Sequence, residues 1–198
     1  MKFPTHCFSA VILFLLCTPA THSQEELKDY DGNIYKIVRI GEQVWMAENL
    51  KSTHDAYGAE IGRICYQRLQ ANCDTFGGLY SWNELKVRRG VDKCQGICPT
   101  GYHIPTDADW SELIEALGGA DSAAFVARLH TGFNMQYGGN FHSRLENFNY
   151  KDKNAYFWTA TSFSHTAAWI WMIGRRNLNA NRSTVPKVYC LSVRCIKD

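Results

Sequence analysis

The sequence predicts an α+β domain, crosslinked by disulfides and built for export. Three observations carry this: β-branched and aromatic runs bounded by turn residues lie toward both ends, helical periodicity is confined to the middle, and six cysteines follow a leader-like opening.

The opening sets the compartment. Met1-Lys2, an apolar run from Phe8 to Cys17, and small or polar residues through Ala20, Thr21, His22 and Ser23 have the charged, apolar, cleavable order of a secretory signal peptide. Roughly ten apolar residues fall short of the about twenty that cross a hydrocarbon core, so no transmembrane segment is expected. Thr21 and Ser23 occupy the two sub-sites of signal peptidase, which places cleavage before Gln24: residues 1–23 form the signal peptide and 24–198 one domain. A competing reading acylates Cys17 as a lipid anchor, but Leu16 is bulky where that processing wants a small residue, and it is disfavoured.

Cys65, Cys73, Cys94, Cys98, Cys190 and Cys195 remain after cleavage, an even number in an exported chain and hence a disulfide framework. Six cysteines admit 15 connectivities, which spacing alone does not resolve. Zinc is disfavoured, because Cys94-x-x-x-Cys98 is only just compatible with paired ligands and an oxidising compartment favours disulfides. About 175 residues suit one domain burying roughly 70% of its unfolded surface. Loss of Lys2 takes the basic count from 21 to 20 against 19 acidic residues. That balance leaves no nucleic-acid footprint. Arg88-Arg89 and Arg175-Arg176 are isolated basic couples, each read as a solvated turn or strand end, with an acidic-ligand site as the disfavoured alternative.

From the amino end, Asp31-Gly32-Asn33 turns the chain into Ile34 to Ile40, and Gly41-Glu42 leads to Val44 to Ala47, an N-terminal β-hairpin. Periodicity then fades from Lys51 to Gly78. This reads as a long loop that a Cys65–Cys73 bridge would order. Ser81-Trp82-Asn83-Glu84 has the form of a capping box and predicts a short helical turn. The clearest helix opens at Thr106, carries acids in its first turn, repeats Trp110, Leu113, Ile114 and Leu117 on one face, and stops at Gly118-Gly119. Asp121 caps a second, with Phe125, Val126 and Leu129 inward. Beyond His130, Gly138-Gly139 is a turn, and Tyr156 to Thr161, Ala167 to Ile173 and Val188 to Ile196 are strands.

Several ordered segments carry a resemblance: Asp31-Gly32-Asn33-x-Tyr35, Ile40-Gly41-x-Gln43-x-Trp45-Met46-Ala47-Glu48-Asn49-Leu50, Gly78-Leu79-Tyr80-Ser81-Trp82-Asn83, the run from Gly96 through Trp110, Phe157-Trp158-Thr159-x-Thr161, and Ser192 through Asp198. Together they resemble the Fibrobacter succinogenes major paralogous domain, a family of exported bacterial proteins and lipoproteins. The helix-opening block and the terminal Arg194-Cys195 also resemble the C-type lectin-like fold shared with sulfatase-modifying enzymes. That resemblance implies two helices flanking a small curled antiparallel sheet, with long loops on one face. It also implies a Cys98–Cys195 bridge with Cys94–Cys190 beside it, the swapped pairing of the two couples remaining open.

The functional expectation is a binding or adhesion module of the cell envelope or exterior, with a glycan or a surface protein as partner and no cofactor. Trp169 and Trp171 fall on one side of a strand, opposite Ile170 and Met172, and Tyr137 and His142 flank Gly138-Gly139; these are the candidate ligand-binding residues, with core packing and a plain surface loop as the competing explanations. Calcium-dependent sugar binding is disfavoured, since no Glu-Pro-Asn or Gln-Pro-Asp motif is present. An enzyme is disfavoured too. The Cys190 and Cys195 spacing invites comparison with formylglycine-generating oxidases, but Arg194-Cys195 matches the structural terminal strand. His103 reads as a hydrogen-bonded structural histidine, and Asp107, Asp109 and Glu112 as helix-capping acids. A structural surface or fimbrial component is the third reading. Asn181-Arg182-Ser183 is a glycosylation sequon that has meaning only in a eukaryotic secretory pathway.

Overall fold

The computed structural model describes residues 26–87, 93–120, 132–176 and 179–198. The segment read as a signal peptide, Cys17, Arg88-Arg89 and the helix expected from Asp121 lie outside the described residues.

β1 (Glu26–Lys28), β2 (Ile34–Ile40) and β3 (Gln43–Met46) form an antiparallel meander. The turn between β1 and β2 is held by Asp29, whose carboxylate accepts the Asn33 backbone N–H at 2.8 Å and the Tyr35 hydroxyl at 2.6 Å. Gly41 turns the β2–β3 hairpin with φ at +57°, a conformation open to glycine at little cost.

The stretch read as a loop holds more structure than its pattern suggests. After β4 (Arg63–Ile64) come a 3₁₀ turn at Tyr66–Arg68 and a short helix, α1 (Gln70–Phe76), then β5 (Leu79–Ser81). α1 buries only Asn72 and Cys73, so it has no apolar stripe to betray it. The Cys65–Cys73 disulfide ties it to the preceding strand. At Ser81, half of the expected box forms: Ser81 Oγ accepts the Glu84 N–H at 3.4 Å, while the Glu84 carboxylate accepts the Gly62 N–H at 2.8 Å.

β6 (Tyr102–His103) leads to α2 (Asp107–Ala116), the predicted helix. Its capping box uses Thr106 and Asp109: Thr106 Oγ1 accepts the Asp109 N–H at 3.2 Å and Asp109 Oδ2 accepts the Thr106 N–H at 2.7 Å. Trp110, Leu113, Ile114 and Leu117 are buried along one face.

β7 (Asn140–His142), β8 (Asn147–Asn149), β9 (Asn154–Ser162), β10 (Ala167–Gly174), β11 (Ala180–Pro186), β12 (Tyr189–Leu191) and β13 (Ile196–Lys197) complete three antiparallel sheets, ordered β1-β2-β3-β13-β6, β11-β10-β9 and β4-β5-β12-β7-β8. β11 has no legible pattern in the sequence: it is mostly polar and exposed, held chiefly by backbone pairing to β10, with only Ala180 buried and Val185 partly so. The single strand expected from Val188 to Ile196 divides into β12 and β13. Between them the Val193 and Cys195 carbonyls accept from Leu50 and Met46, so this stretch bonds to the end of β3 and the chain just after it.

The described residues are mostly sheet with two α-helices, and their core lies on both faces of β9 and β10. Alternation sends Trp158, Ala168 and Ile170 into one cluster with Tyr35, Tyr80, Trp82 and Leu191. Ala155, Phe157, Trp171 and Ile173 enter the other, with Trp45, Trp110 and Phe133. Arg194 is wholly buried near the second cluster: Nε and Nη2 donate to Asn49 Oδ1 at 3.1 and 2.6 Å, Nη1 donates to the Phe133 carbonyl, and the guanidinium stands 4.3 Å from the Phe133 ring. Burial pulls its pKa down to about 9, against the opposing charge of Glu48.

Cys98–Cys195 joins the segment before α2 to the terminal strand, as the resemblance implies. The expected Cys94–Cys190 bridge is corrected. Both are buried cysteines outside the two disulfides: Cys94 Sγ turns to the Lys86 carbonyl at 3.6 Å, whereas Cys190 packs with Tyr66, Leu79 and Phe141.

Candidate functional site

The four residues chosen from sequence do not converge. Trp171 is buried and its Nε1–H donates to Asp107 Oδ1 at 3.2 Å. Trp169 lies on the same side of β10, covered by the Arg182 guanidinium at 3.5 Å from its ring and by the edge of Phe163 at 5.2 Å. Arg182 is fixed there by Asp107, with Nε donating at 2.9 and 2.8 Å and Nη2 at 2.8 Å. This aromatic face is therefore filled by the chain itself. His142 caps the β7–β8 turn, where Nδ1 accepts the Leu145 N–H at 3.2 Å, and its ring meets Tyr189 edge-on at 4.5 Å.

Tyr137 has a different setting. It is buried, its hydroxyl finds no hydrogen-bond partner among the described residues, and Arg175 lies over its ring at 5.8 Å. Burial raises its pKa, with Arg175 opposing. Its carbonyl accepts the Asp152 N–H at 2.9 Å, which sets it behind the turn that leads into β9.

That turn forms one wall of an open cavity of about 810 Å³ lined by Tyr150, Lys151, Asp152, Lys153, Asn154, Gly174, Arg175 and Arg176. Two segments distant in sequence meet there because β9 and β10 are antiparallel, which sets Asn154 opposite Gly174. The Arg175 N–H then donates to the Lys153 carbonyl at 2.8 Å. Tyr150 and Asp152 have φ at +64° and +60°, and the turn packs so tightly on Gly139 that a Cβ there would stand 2.3 Å from the Asn149 carbonyl oxygen.

Lys153, Arg175 and Arg176 thus line the cleft together with one carboxylate, Asp152. Lys151 reaches inward, its ammonium donating to Asn72 Oδ1 at 3.3 Å and lying 5.4 Å from the Phe76 ring. Arg175 stands 3.9 Å from Asp152, an exposed pair of the kind worth about 0–1 kcal/mol. Tyr150, 52% exposed, lines the same cleft as the cationic residues. Sequence reading saw Arg175-Arg176 as a solvated couple, and they do occupy an exposed turn. Its link to Lys151 and Lys153 depends on strand register and has no local signature.

The remaining titratable groups are structural in their contacts. His103 is buried, with Nδ1 hydrogen-bonded to Asp198 at 2.8 Å and Nε2 3.7 Å from Asp109. Burial raises the Asp109 carboxyl, but the nearby His103 ring and hydrogen bonds from Thr106 outweigh it and hold the pKa low. Asp31 accepts from the Ser52 and Thr53 hydroxyls and the Thr53 N–H, and pairs with His54 Nδ1. Its burial would raise the pKa; these bonds prevail and lower it to about 2. Burial, reinforced by Glu84, pushes the Cys190 thiol up to about 11, far from the range of a reactive thiolate. Among the described residues no three His, Cys, Asp or Glu side chains are grouped to hold a metal, and no helix is long and apolar enough to cross a membrane.

These features define a β-rich, disulfide-crosslinked module with an open cleft lined by cationic residues. The chain belongs to the Fibrobacter succinogenes major domain family, whose model matches residues 38–197. No curated protein and no solved structure matches it. Two of the resembling blocks meet in the interior, Asn49 of the second bonding Arg194 of the last.

Proposed function

We propose that the chain is an exported binding module of the bacterial envelope or exterior, with its ligand seated in the cleft between the β9 and β10 ends. The observation that carries this reading is the meeting of residues 150–154 with 174–176 around an open 810 Å³ space, a size within the usual range of ligand sites. Export is supported by the leader-like opening and by two disulfides, which persist in oxidising compartments. A C-type lectin-like arrangement is supported by the bridge from the segment before α2 to the terminal strand. Binding is favoured over oxidase-like catalysis because Cys195 is held in a disulfide and the Cys190 thiol is buried with a raised pKa. The test is retention of envelope polysaccharide or protein fractions on the immobilised full-length chain. Saturable retention that weakens in Lys153→Ala/Arg176→Ala supports the reading, and failure to retain any fraction overturns it.

A structural surface component is the second reading, favoured by β11, a seven-residue exposed strand paired on one side to β10. Its signature is concentration-dependent assembly in size-exclusion chromatography.

A further inference from the structure

We infer that the ligand of this cleft is an anionic glycan, a polysaccharide bearing carboxylate or sulfate groups. The inference rests on the binding reading above and narrows it to a chemistry.

Charge comes first. The entire chain carries a formal charge of only +2, from 21 basic and 19 acidic residues, yet the cleft alone gathers Lys153, Arg175 and Arg176 with Asp152, a local excess of two, while the Lys151 ammonium is turned to Asn72 outside it. A concavity lined by one sign concentrates its field and draws the opposite charge. Arg175 and Arg176 are both exposed, and the 3.9 Å contact of Arg175 with Asp152 is loose enough for an incoming oxyanion to compete for the guanidinium. Guanidinium groups present planar donor forks that match carboxylate and sulfate oxygens.

The second half of the ligand follows from the apolar wall. Tyr150 exposes half of its surface at the rim and leans toward Tyr156, with ring centroids 6.0 Å apart. An aromatic ring that is flat, apolar on its faces and polar at its hydroxyl suits the C–H face of a sugar ring with hydroxyls around its edge. A bare oxyanion or a flexible acidic peptide would make no comparable use of it. The cleft is also preformed: Tyr150 and Asp152 are locked in left-handed backbone, and Lys153 is clamped to Arg175 through the main chain, so little ordering accompanies binding.

Calorimetry of the full-length oxidised chain tests this with polygalacturonate, its methyl-esterified form, dextran sulfate, unmodified dextran and poly-glutamate. The expected result is binding of polygalacturonate, dextran sulfate or both, at least tenfold tighter than the esterified and unmodified partners, weakening as salt screens the charges. Which of the two binds identifies the source of the anionic group. Arg175→Gln/Arg176→Gln reduces that binding at least tenfold, Tyr150→Ala reduces it severalfold, Asp152→Asn strengthens it, and Lys36→Gln on exposed β2 leaves it unchanged. Equal binding of charged and uncharged partners, with the arginine variant unaffected, overturns the anionic assignment and leaves the binding reading standing. Poly-glutamate binding as tight as the glycan, with Tyr150→Ala silent, overturns the sugar assignment. No binding of any probe overturns the inference, and the broader reading falls only if envelope fractions are also not retained.

Discussion

Loss of the Cys98–Cys195 disulfide would destabilise this protein far more than loss of Cys65–Cys73, although each removes one covalent bond. The bridges are separated by 97 and 8 residues of sequence respectively. In the chain-entropy treatment, the longer loop restricts the unfolded ensemble by about 4.7 kcal/mol at 25 °C and the shorter by about 2.5 kcal/mol. Cys98 and Cys195 are also fully buried in the first core cluster, so their replacement by alanine adds a packing cost on the order of 1 kcal/mol. The difference between Cys98→Ala/Cys195→Ala and Cys65→Ala/Cys73→Ala is then about 2 to 3 kcal/mol. With a guanidinium slope of about 4 kcal/mol/M, the two midpoints separate by roughly 0.5 M or more. Equilibrium unfolding in guanidinium chloride, followed by the fluorescence of buried Trp45, Trp110 and Trp158, reads this directly. If the short-loop variant proves equally or less stable, the loop-length reasoning fails. A wild-type midpoint unmoved by reductant would refute the crosslinks themselves.

Three other outcomes follow from the contacts described. Asn49→Ala strips the buried Arg194 guanidinium of its side-chain acceptor and should cost about 3 kcal/mol; a loss below about 1 kcal/mol in thermal or chemical unfolding would contradict that role. Asp31, lowered from 3.8 to about 2, contributes stability that is complete above its unfolded pKa and disappears as pH falls from about 4 to 2. Its side chain is 19% exposed, so the contribution is about 1 to 2 kcal/mol, and the stability gap between wild type and Asp31→Asn should narrow across that window; a constant gap refutes it. Asp107→Ala frees Arg182 from its position over Trp169 and should raise acrylamide quenching of tryptophan fluorescence, whereas unchanged quenching would mean that Arg182 does not shield the ring.

The parts of the fold legible in sequence are those whose side chains report their own environment. The β2–β3 hairpin, α2 with its Thr106 cap, and the alternating strands β9 and β10 all announce themselves through periodicity and turn chemistry. α1 and β11 are silent for opposite reasons: the first is held by a covalent staple, the second by backbone pairing under a polar exposed surface. At the site, sequence reading correctly set Trp169 and Trp171 on one face, but Asp107 and Arg182 fill that face from positions far away in the chain. The cleft was invisible for the same reason, since Lys153 and Arg175 become neighbours only when β9 and β10 pair in register.

The β9–β10 hairpin separates two cores and sends side chains from its opposite faces into each. It behaves as a common wall: neither compartment can drain without exposing the back of the other, so breathing of one is opposed by both. The cationic turns at its end are anchored to a strand pair that contributes side chains to both cores. Their spacing is consequently inherited from the interior, and a variant that loosens either compartment should blur recognition before it unfolds the protein.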